Sequence, residues 1–244
     1  MTVQLLTGPA GAPGVTTTAL GLTLQHRGPS LLVDASRDVS QAILAGYLRG
    51  SVAAGGGLEE FARRRRMGAP FDLAAATVPL DTDGDHQFLP GFGHLGAAEL
   101  FEPAWPALAD MLRRLADDGT QVVIDAGRCT SVTAIQHLVR IADRVLLVTR
   151  TSLRGLAAAR PVCDALTDLA AASPRVTRTA LALVGEGMPY DRQEVSGQFG
   201  WPVDLVLPFL PTHADVYSDG APPPRRWDRS PLVRAFTDLE AVLR

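Results

Sequence analysis

The chain has 244 residues, 46% hydrophobic and 20% charged, with a formal net charge of −3 and a mean hydropathy of +0.11. This balance excludes an intrinsically disordered chain, which cannot bury enough apolar surface, and a protein built to coat nucleic acid, which needs a basic one. No apolar run approaches the roughly 18 residues of a membrane-spanning helix, and MTVQLLTGPAG lacks the basic start and long apolar stretch of a secretory signal, so a cytoplasmic protein is expected.

Val3 to Thr7 is a short apolar run that ends in the cluster Gly8-Pro9-Ala10-Gly11-Ala12-Pro13-Gly14. Val15 to Gln25 is helix-like and is stopped by Gly28-Pro29. Ser30 to Val33 reads as a second strand, closed by Asp34. Helical patterns at Ser40–Leu48 and Leu58–Arg66 flank a loose Ala53–Gly57 segment, and His86–Leu89 reads as a strand. Pro103–Ala116 is an amphipathic helix, and Gln121–Ile124 is a third clear strand, again closed by an aspartate, Asp125. Arg144–Val148, Ala180–Val184 and Val203–Leu207 are further strands, and Leu232–Leu243 is a closing helix.

Apolar runs without strict alternation, separated by helical patterns, predict an α/β fold: a doubly wound, mostly parallel sheet with helices on both faces. No repeat is evident, and the irregular Ala221–Arg229 connector lies too near the end to divide the chain. Residues 1–244 are therefore expected to form one domain, with helix 232–243 packed on it.

A strand, a glycine-rich turn and a helix can make a phosphate-binding loop, because successive backbone N–H groups and the helix start supply positive potential. Against the pattern G-x-x-x-x-G-K-[ST], Gly14 takes the second glycine, Pro9 the first, Val15 the lysine and Thr16 the metal-binding hydroxyl. Asp34 and Asp125, at the carboxyl ends of neighbouring parallel strands, would face the crevice where such sheets bind ligands, and could hold Mg²⁺ beside Thr16. The plainer alternative is that both aspartates cap loops. The chain contains no lysine and no asparagine, so all 23 of its Lys+Arg residues are arginine. Cys129 and Cys163 form no CxxC pair, which excludes a disulfide framework and a zinc site.

GAPGVTTTALGLTL followed by SLLVDASRDVSQAIL resembles the ParA/MinD group of P-loop ATPases, the deviant Walker A class, as do VVIDAG at 122–127, ADRVLLVTR at 142–150 and LVLPFLP at 205–211. The resemblance runs through nearly the whole chain in the family's order. It implies a three-layer P-loop NTPase-like fold, ATP or ADP with Mg²⁺ as ligands, and face-to-face dimers that position chromosomes, plasmids, division sites, pili or flagella. Carried onto this chain, it implies a nucleotide site at Gly11, Pro13, Gly14, Val15, Thr16, Thr17, Asp34 and Asp125, with Thr16, Asp34 and Asp125 near the metal.

The departures from the family pattern all weaken ATP chemistry. Ala10 stands at the signature lysine, Val15 at the Walker lysine, Ser36 at the second aspartate of D-x-D, and Gly185 at an asparagine that commonly contacts adenine. Unit charges 4 Å apart interact by about 4 kcal/mol at an effective dielectric near 20, so losing two ammonium groups should weaken triphosphate binding and γ-phosphoryl stabilisation. Valine would also place an apolar side chain where the phosphates lie. Arg37, Arg128 and Arg154, near the expected strand ends, are the candidate replacements, although arginine does not reproduce a lysine's reach. The expectation is a spatial regulator or scaffold with a degenerate site, no catalytic residue and weak nucleotide binding at most; the alternative is an atypical working ATPase. A homodimer or a protein partner from a positioning, pilus or secretion system is expected, non-specific DNA contact is open, and membrane contact is disfavoured.

Other signals resolve to plainer readings. Gly91-Phe92-Gly93-His94-Leu95-Gly96 has the dinucleotide spacing, but position 111 is Met in a helix where an acid ending a strand is required. Arg63–Arg66 follow Glu59 and Glu60 at four-residue spacing, which predicts Glu59–Arg63 and Glu60–Arg64 ion pairs on a solvated face. Arg225, Arg226 and Arg229 around Trp227 are thin support for DNA contact. Leu232, Phe236, Leu239 and Leu243 share a helix face that closes the core more readily than it binds a membrane, since Asp238 and Glu240 interrupt its basic side.

Overall fold

A continuous apolar run is stable as a strand only when both its faces are covered, and here helices cover both. The computed structural model describes residues 2–11, 14–39, 42–51 and 56–242. Its sheet has the order β3-β4-β2-β5-β1-β6-β7-β8, where β1 is Val3–Gly8, β2 Ser30–Asp34, β3 Val78–Pro79, β4 His86–Leu89, β5 Gln121–Arg128, β6 Arg144–Arg150, β7 Arg178–Val184 and β8 Val203–Leu207. Every pairing is parallel except that of the short β3 with β4.

One apolar layer packs α2 (Gly57–Arg66), α5 (Trp105–Asp117), α6 (Val132–Val139), α7 (Leu153–Ala171) and α8 (Arg192–Phe199) against Leu5, Val33, Ile124, Leu147 and Leu183. The opposite layer packs α1 (Val15–Gln25), a π-helical turn (Ala42–Tyr47), α9 (Pro211–Ser218) and α10 (Pro231–Val242) against Leu6, Leu32, Val123, Leu146 and Ala182. Alternate residues of each strand thus feed the two layers, which is the predicted doubly wound sheet. Two four-residue helices, α3 (Leu73–Ala76) and α4 (Ala97–Leu100), lie in the connections around β3 and β4.

The expected strands are all present, β5 and β6 running past their expected ends. The helix expected from Ser40 is instead a π-helical turn, with Ser40 itself outside the described residues, as are Ala53 and the last residue of the closing helix, Leu243. On α10, Leu232, Phe236 and Leu239 are buried in the α1 layer. Gly21 makes that docking possible, because a Cβ there would lie 2.2 Å from the Phe236 ring. Among the described residues, no helix is long and apolar enough to cross a membrane.

Chain direction sets the position of the crevice. From central β1 the chain first builds β2, β4 and β5 on one side, and only then β6, β7 and β8 on the other. The loop after β1 therefore opens at the reversal of strand order, at the carboxyl ends of the strands, where open α/β sheets bind ligands.

Candidate functional site

The glycine-rich loop joins β1 to α1. Gly11 turns with φ 75° and Gly14, with φ 101°, forms the N-cap of α1, a left-handed conformation that favours glycine. Thr18 fastens the first turn by donating its N–H to the Gly14 carbonyl at 2.8 Å. Thr16 and Thr17 sit half-buried on that turn, and Pro13 lies outside the described residues.

Val15 corrects the sequence reading. It is 5% exposed and packs in the α1 layer with Leu6 and Ala19, so its side chain points into the core and not over the loop. An apolar side chain at the first helical residue gains by burial. The loop thus loses its cation without being blocked by the replacement.

The ends of β1, β2 and β5 are held together. The Thr7 hydroxyl donates to the Gly127 carbonyl at 3.0 Å, the Cys129 N–H to the Gly8 carbonyl at 2.8 Å, and the Ala35 N–H to the Asp125 carbonyl at 2.8 Å. Gly127 has φ 58°, and a Cβ there would come within 2.4 Å of the Ser36 hydroxyl, so the turn after Asp125 admits no side chain.

Asp34 and Asp125 are register partners on adjacent parallel strands. Asp125 is 1% exposed, and its carboxylate accepts from the Gly127 N–H at 2.9 Å and from the Thr16 hydroxyl. Asp34 accepts from the Ser36 N–H at 3.1 Å. Burial, then the neighbouring Asp125 charge, push the Asp34 carboxyl up to about 8. Burial also raises Asp125, opposed by the hydrogen bonds from Thr16 and Gly127. Both aspartates thus stand at the crevice with only neutral donors around them.

The nearby arginines are engaged elsewhere or outside. Arg37 pairs with Glu102 and reaches Glu99 at 3.7 Å, and Arg128 pairs with Asp38 at 2.9 Å. Arg154 is exposed and makes no ion pair among the described residues. None of the three is an ion partner of Asp34 or Asp125 in the structure. A divalent cation does fit the donor set, since two adjacent carboxyl groups whose proton affinity is raised, with a hydroxyl beside them, are hard oxygen ligands without a positive partner among the described residues. No group of three or more His, Cys, Asp or Glu suited to a metal exists among the described residues, so the remaining ligands would be water or ligand oxygens.

On the far side of the crevice, Gly185 has φ 77°, and a Cβ there would lie 3.1 Å from the Met188 sulfur and 3.3 Å from the Phe209 Cβ. These approaches are tighter than ordinary contact, so a side chain at this position would require Met188 or Phe209 to shift. The Thr151 hydroxyl donates to the Gly185 carbonyl and fixes the loop.

The segment 91–96 has a role that its spacing disguised. Gly91 packs on Asp34, where a Cβ would lie 2.8 Å from the carboxyl carbon. Gly93 donates its N–H to Glu59 at 2.8 Å, and His94 contacts the same carboxylate at 3.0 Å. Glu59 is therefore unavailable to Arg63, contrary to the i,i+4 expectation; Glu60 binds both Arg63 and Arg64, each at 2.6 Å. No sequence signal marked Gly91 as the neighbour of Asp34, since the contact joins loops after two different strands.

No protein-family model matches the chain, nor does any curated protein sequence. Solved structures share its fold. A ParA family ATPase from Chlorobium tepidum superposes with a TM-score of 0.75 at 15% identity, over 100% of this chain and 98% of that one. MinD complexed with Mg-ADP from Pyrococcus horikoshii gives 0.72 at 17% identity, over 99% and 94%. The MinC:MinD cell division protein complex of Aquifex aeolicus gives 0.71 at 16% identity, over 100% and 95%. These likenesses establish the P-loop NTPase-like three-layer α/β fold.

Proposed function

We propose that the chain is a ParA/MinD-like spatial regulator or scaffold whose nucleotide site is degenerate and turns over little or no ATP. One observation carries this reading: the buried Asp125 and the half-buried Asp34 meet at the crevice while Arg37 and Arg128 are paired with Glu102 and Asp38. Phosphoryl transfer depends on cations that bind the β- and γ-phosphates and neutralise developing charge. Here the loop carries no lysine, and the crevice holds the carboxyl groups of Asp34 and Asp125 in place of cations. Mg²⁺ fits at Asp34, Asp125 and Thr16, where it would neutralise the pair; Gly11, Gly14 and Thr17 would offer backbone N–H groups to a weakly held ATP or ADP.

The scaffold works by presenting a surface, as a homodimer or to a protein partner of a positioning, pilus or secretion system. The MinD structure bound to MinC is a relative in fold that acts through a partner complex. Because the bridging lysine is replaced by Ala10, any dimer is expected to form without nucleotide. The reading is of one domain acting in the cytoplasm.

Calorimetric titration with ATP and ADP, with and without Mg²⁺, tests the proposal. Absence of heat at millimolar nucleotide is expected. Micromolar Mg²⁺-dependent binding with phosphate release, weakened by Thr16→Ala and by Asp125→Ala, would overturn it in favour of an atypical ATPase.

A further inference from the structure

Away from the crevice, α2 borders an open groove. Glu59, Ala62 and Arg66 lie three and four residues apart and so share one face of the helix. Leu95 and Leu100 form the opposite wall, and the groove between encloses about 260 Å³. Its floor is apolar: Phe92 and Phe101 are 3% and 1% exposed. The walls are not covered by the chain itself, since Leu95 is 92% exposed and Leu100 70%. Met67, 67% exposed, extends the apolar edge beyond Arg63, whose guanidinium lies 3.6 Å from its sulfur. Contiguous exposed apolar side chains around a recess mark a contact surface.

The charges of this surface are polarised. At one end, Glu59 is already satisfied by Gly93 and His94. Farther along, Arg63 and Arg64 share Glu60, while Arg65 and Arg66 make no ion pair among the described residues. The groove therefore runs from a hydrogen-bonded carboxylate, Glu59, to uncompensated positive charge at Arg65 and Arg66.

We propose that this groove docks an amphipathic helical segment of a partner protein, its apolar stripe on Leu95, Leu100 and Phe92 and its acidic residues toward Arg65 and Arg66. Helix-in-groove binding needs apolar anchors at three- to four-residue spacing and a charge to set direction, and the surface supplies a complement to both. An anionic membrane is the poorer occupant. A lipid surface cannot fill a recess. The proposal is independent of the crevice and does not need nucleotide or metal.

Selection of displayed random peptides on the full chain, followed by fluorescence anisotropy with the enriched peptides, tests it. Enriched sequences should carry apolar residues three or four apart and net negative charge. Their affinity should fall by about tenfold or more in Leu95→Ser/Leu100→Ser and in Arg65→Glu/Arg66→Glu, both built from exposed positions and checked for unchanged circular dichroism. A peptide with lysine at each acidic position should rescue binding to the Arg→Glu variant. No enrichment, enrichment of basic sequences, or affinity unmoved by the variants would overturn the proposal. So would phosphatidylcholine–phosphatidylglycerol vesicles, or a second copy of the chain in sedimentation, binding in a way that the leucine variants abolish.

Discussion

The two ends of the sheet treat buried charge in opposite ways. At the amino ends of β6, β7 and β8, Asp204 lies 3.2 Å from Arg144 and accepts from Arg178 at 3.0 Å. Beside them, Asp143 accepts from the Val3 N–H at 2.7 Å and from Arg113 at 2.8 Å. At the carboxyl ends, Asp125 is 1% exposed and Asp34 half-buried, and among the described residues their partners are only N–H groups and a hydroxyl. A buried charge is costly unless it is paired and hydrogen-bonded, so the first arrangement serves stability and the second opposes it. The contrast teaches that the crevice is not a structural ion-pair site: it keeps negative charge that something from outside the chain would balance.

Removing Asp204 should give the largest effect. Arg144 is only 16% exposed at its side chain and would be left facing Arg178 with only the attraction of Glu240 to offset it. Asp204→Ala is expected to destabilise the chain by about 3 kcal/mol, the lower end of what breaking a buried pair costs, because Arg178 remains partly solvated. Urea unfolding monitored by circular dichroism measures it. A loss below about 0.5 kcal/mol, the range of ordinary surface substitutions, would erase the distinction between the two ends.

Val15→Lys sharpens the comparison from the crevice side. If the Val15 side chain belongs to the core, a lysine there loses apolar packing and must stretch its stem out of the α1 layer to hydrate its ammonium. A destabilisation of about 2 kcal/mol is expected, in the range of core substitutions, with no gain of ATP hydrolysis because Ala10 still lacks its own ammonium. Unchanged thermal stability together with new phosphate release would show that the loop is merely one residue short of a working site.

How much of this was legible depended on what kind of signal each residue leaves. The strands were readable because a covered parallel strand is a bare apolar run, and Asp34 and Asp125 stood out as the polar residues that end two of them. Helices α6, α8 and α9 were not individually marked; each has only 8 residues, too few for a 3.6-residue period to stand out. The 19-residue α7 was hidden by its run of alanines and by Pro161 inside it. Within the site, residue types were legible but directions were not. A valine at the lysine position gives no hint of whether it faces ligand or core, and Glu59 reads as a helix-surface partner of Arg63 until the 91–96 loop is folded over it. Contacts between loops after different strands leave no local pattern, which is why the Gly91–Asp34 contact needed the structure.

Asp34→Asn should give the most specific effect, because it grows with pH in a known direction. The Asp34 carboxyl titrates at about 8 in the folded chain against 3.8 when unfolded. Below the unfolded value both states hold the proton and the aspartate costs nothing. As pH rises between the two values the unfolded chain gives up its proton while the folded chain keeps it, so folding stability falls, and above the folded value the loss is complete. Asparagine removes this loss. Relative to the unsubstituted chain, the variant should gain stability steadily from weakly acidic to weakly alkaline pH, read as a rising difference in thermal midpoint. Mg²⁺ separates this from a generic surface effect. A cation that binds the ionised pair stabilises by about 1.4 kcal/mol at tenfold excess over its dissociation constant, so millimolar Mg²⁺ should raise the midpoint of the unsubstituted chain at alkaline pH and leave Asp34→Asn nearly unmoved. Equal responses of the two proteins to Mg²⁺ would mean that the carboxylate pair does not receive the cation, and the crevice would then have to be balanced by a positive group of a partner.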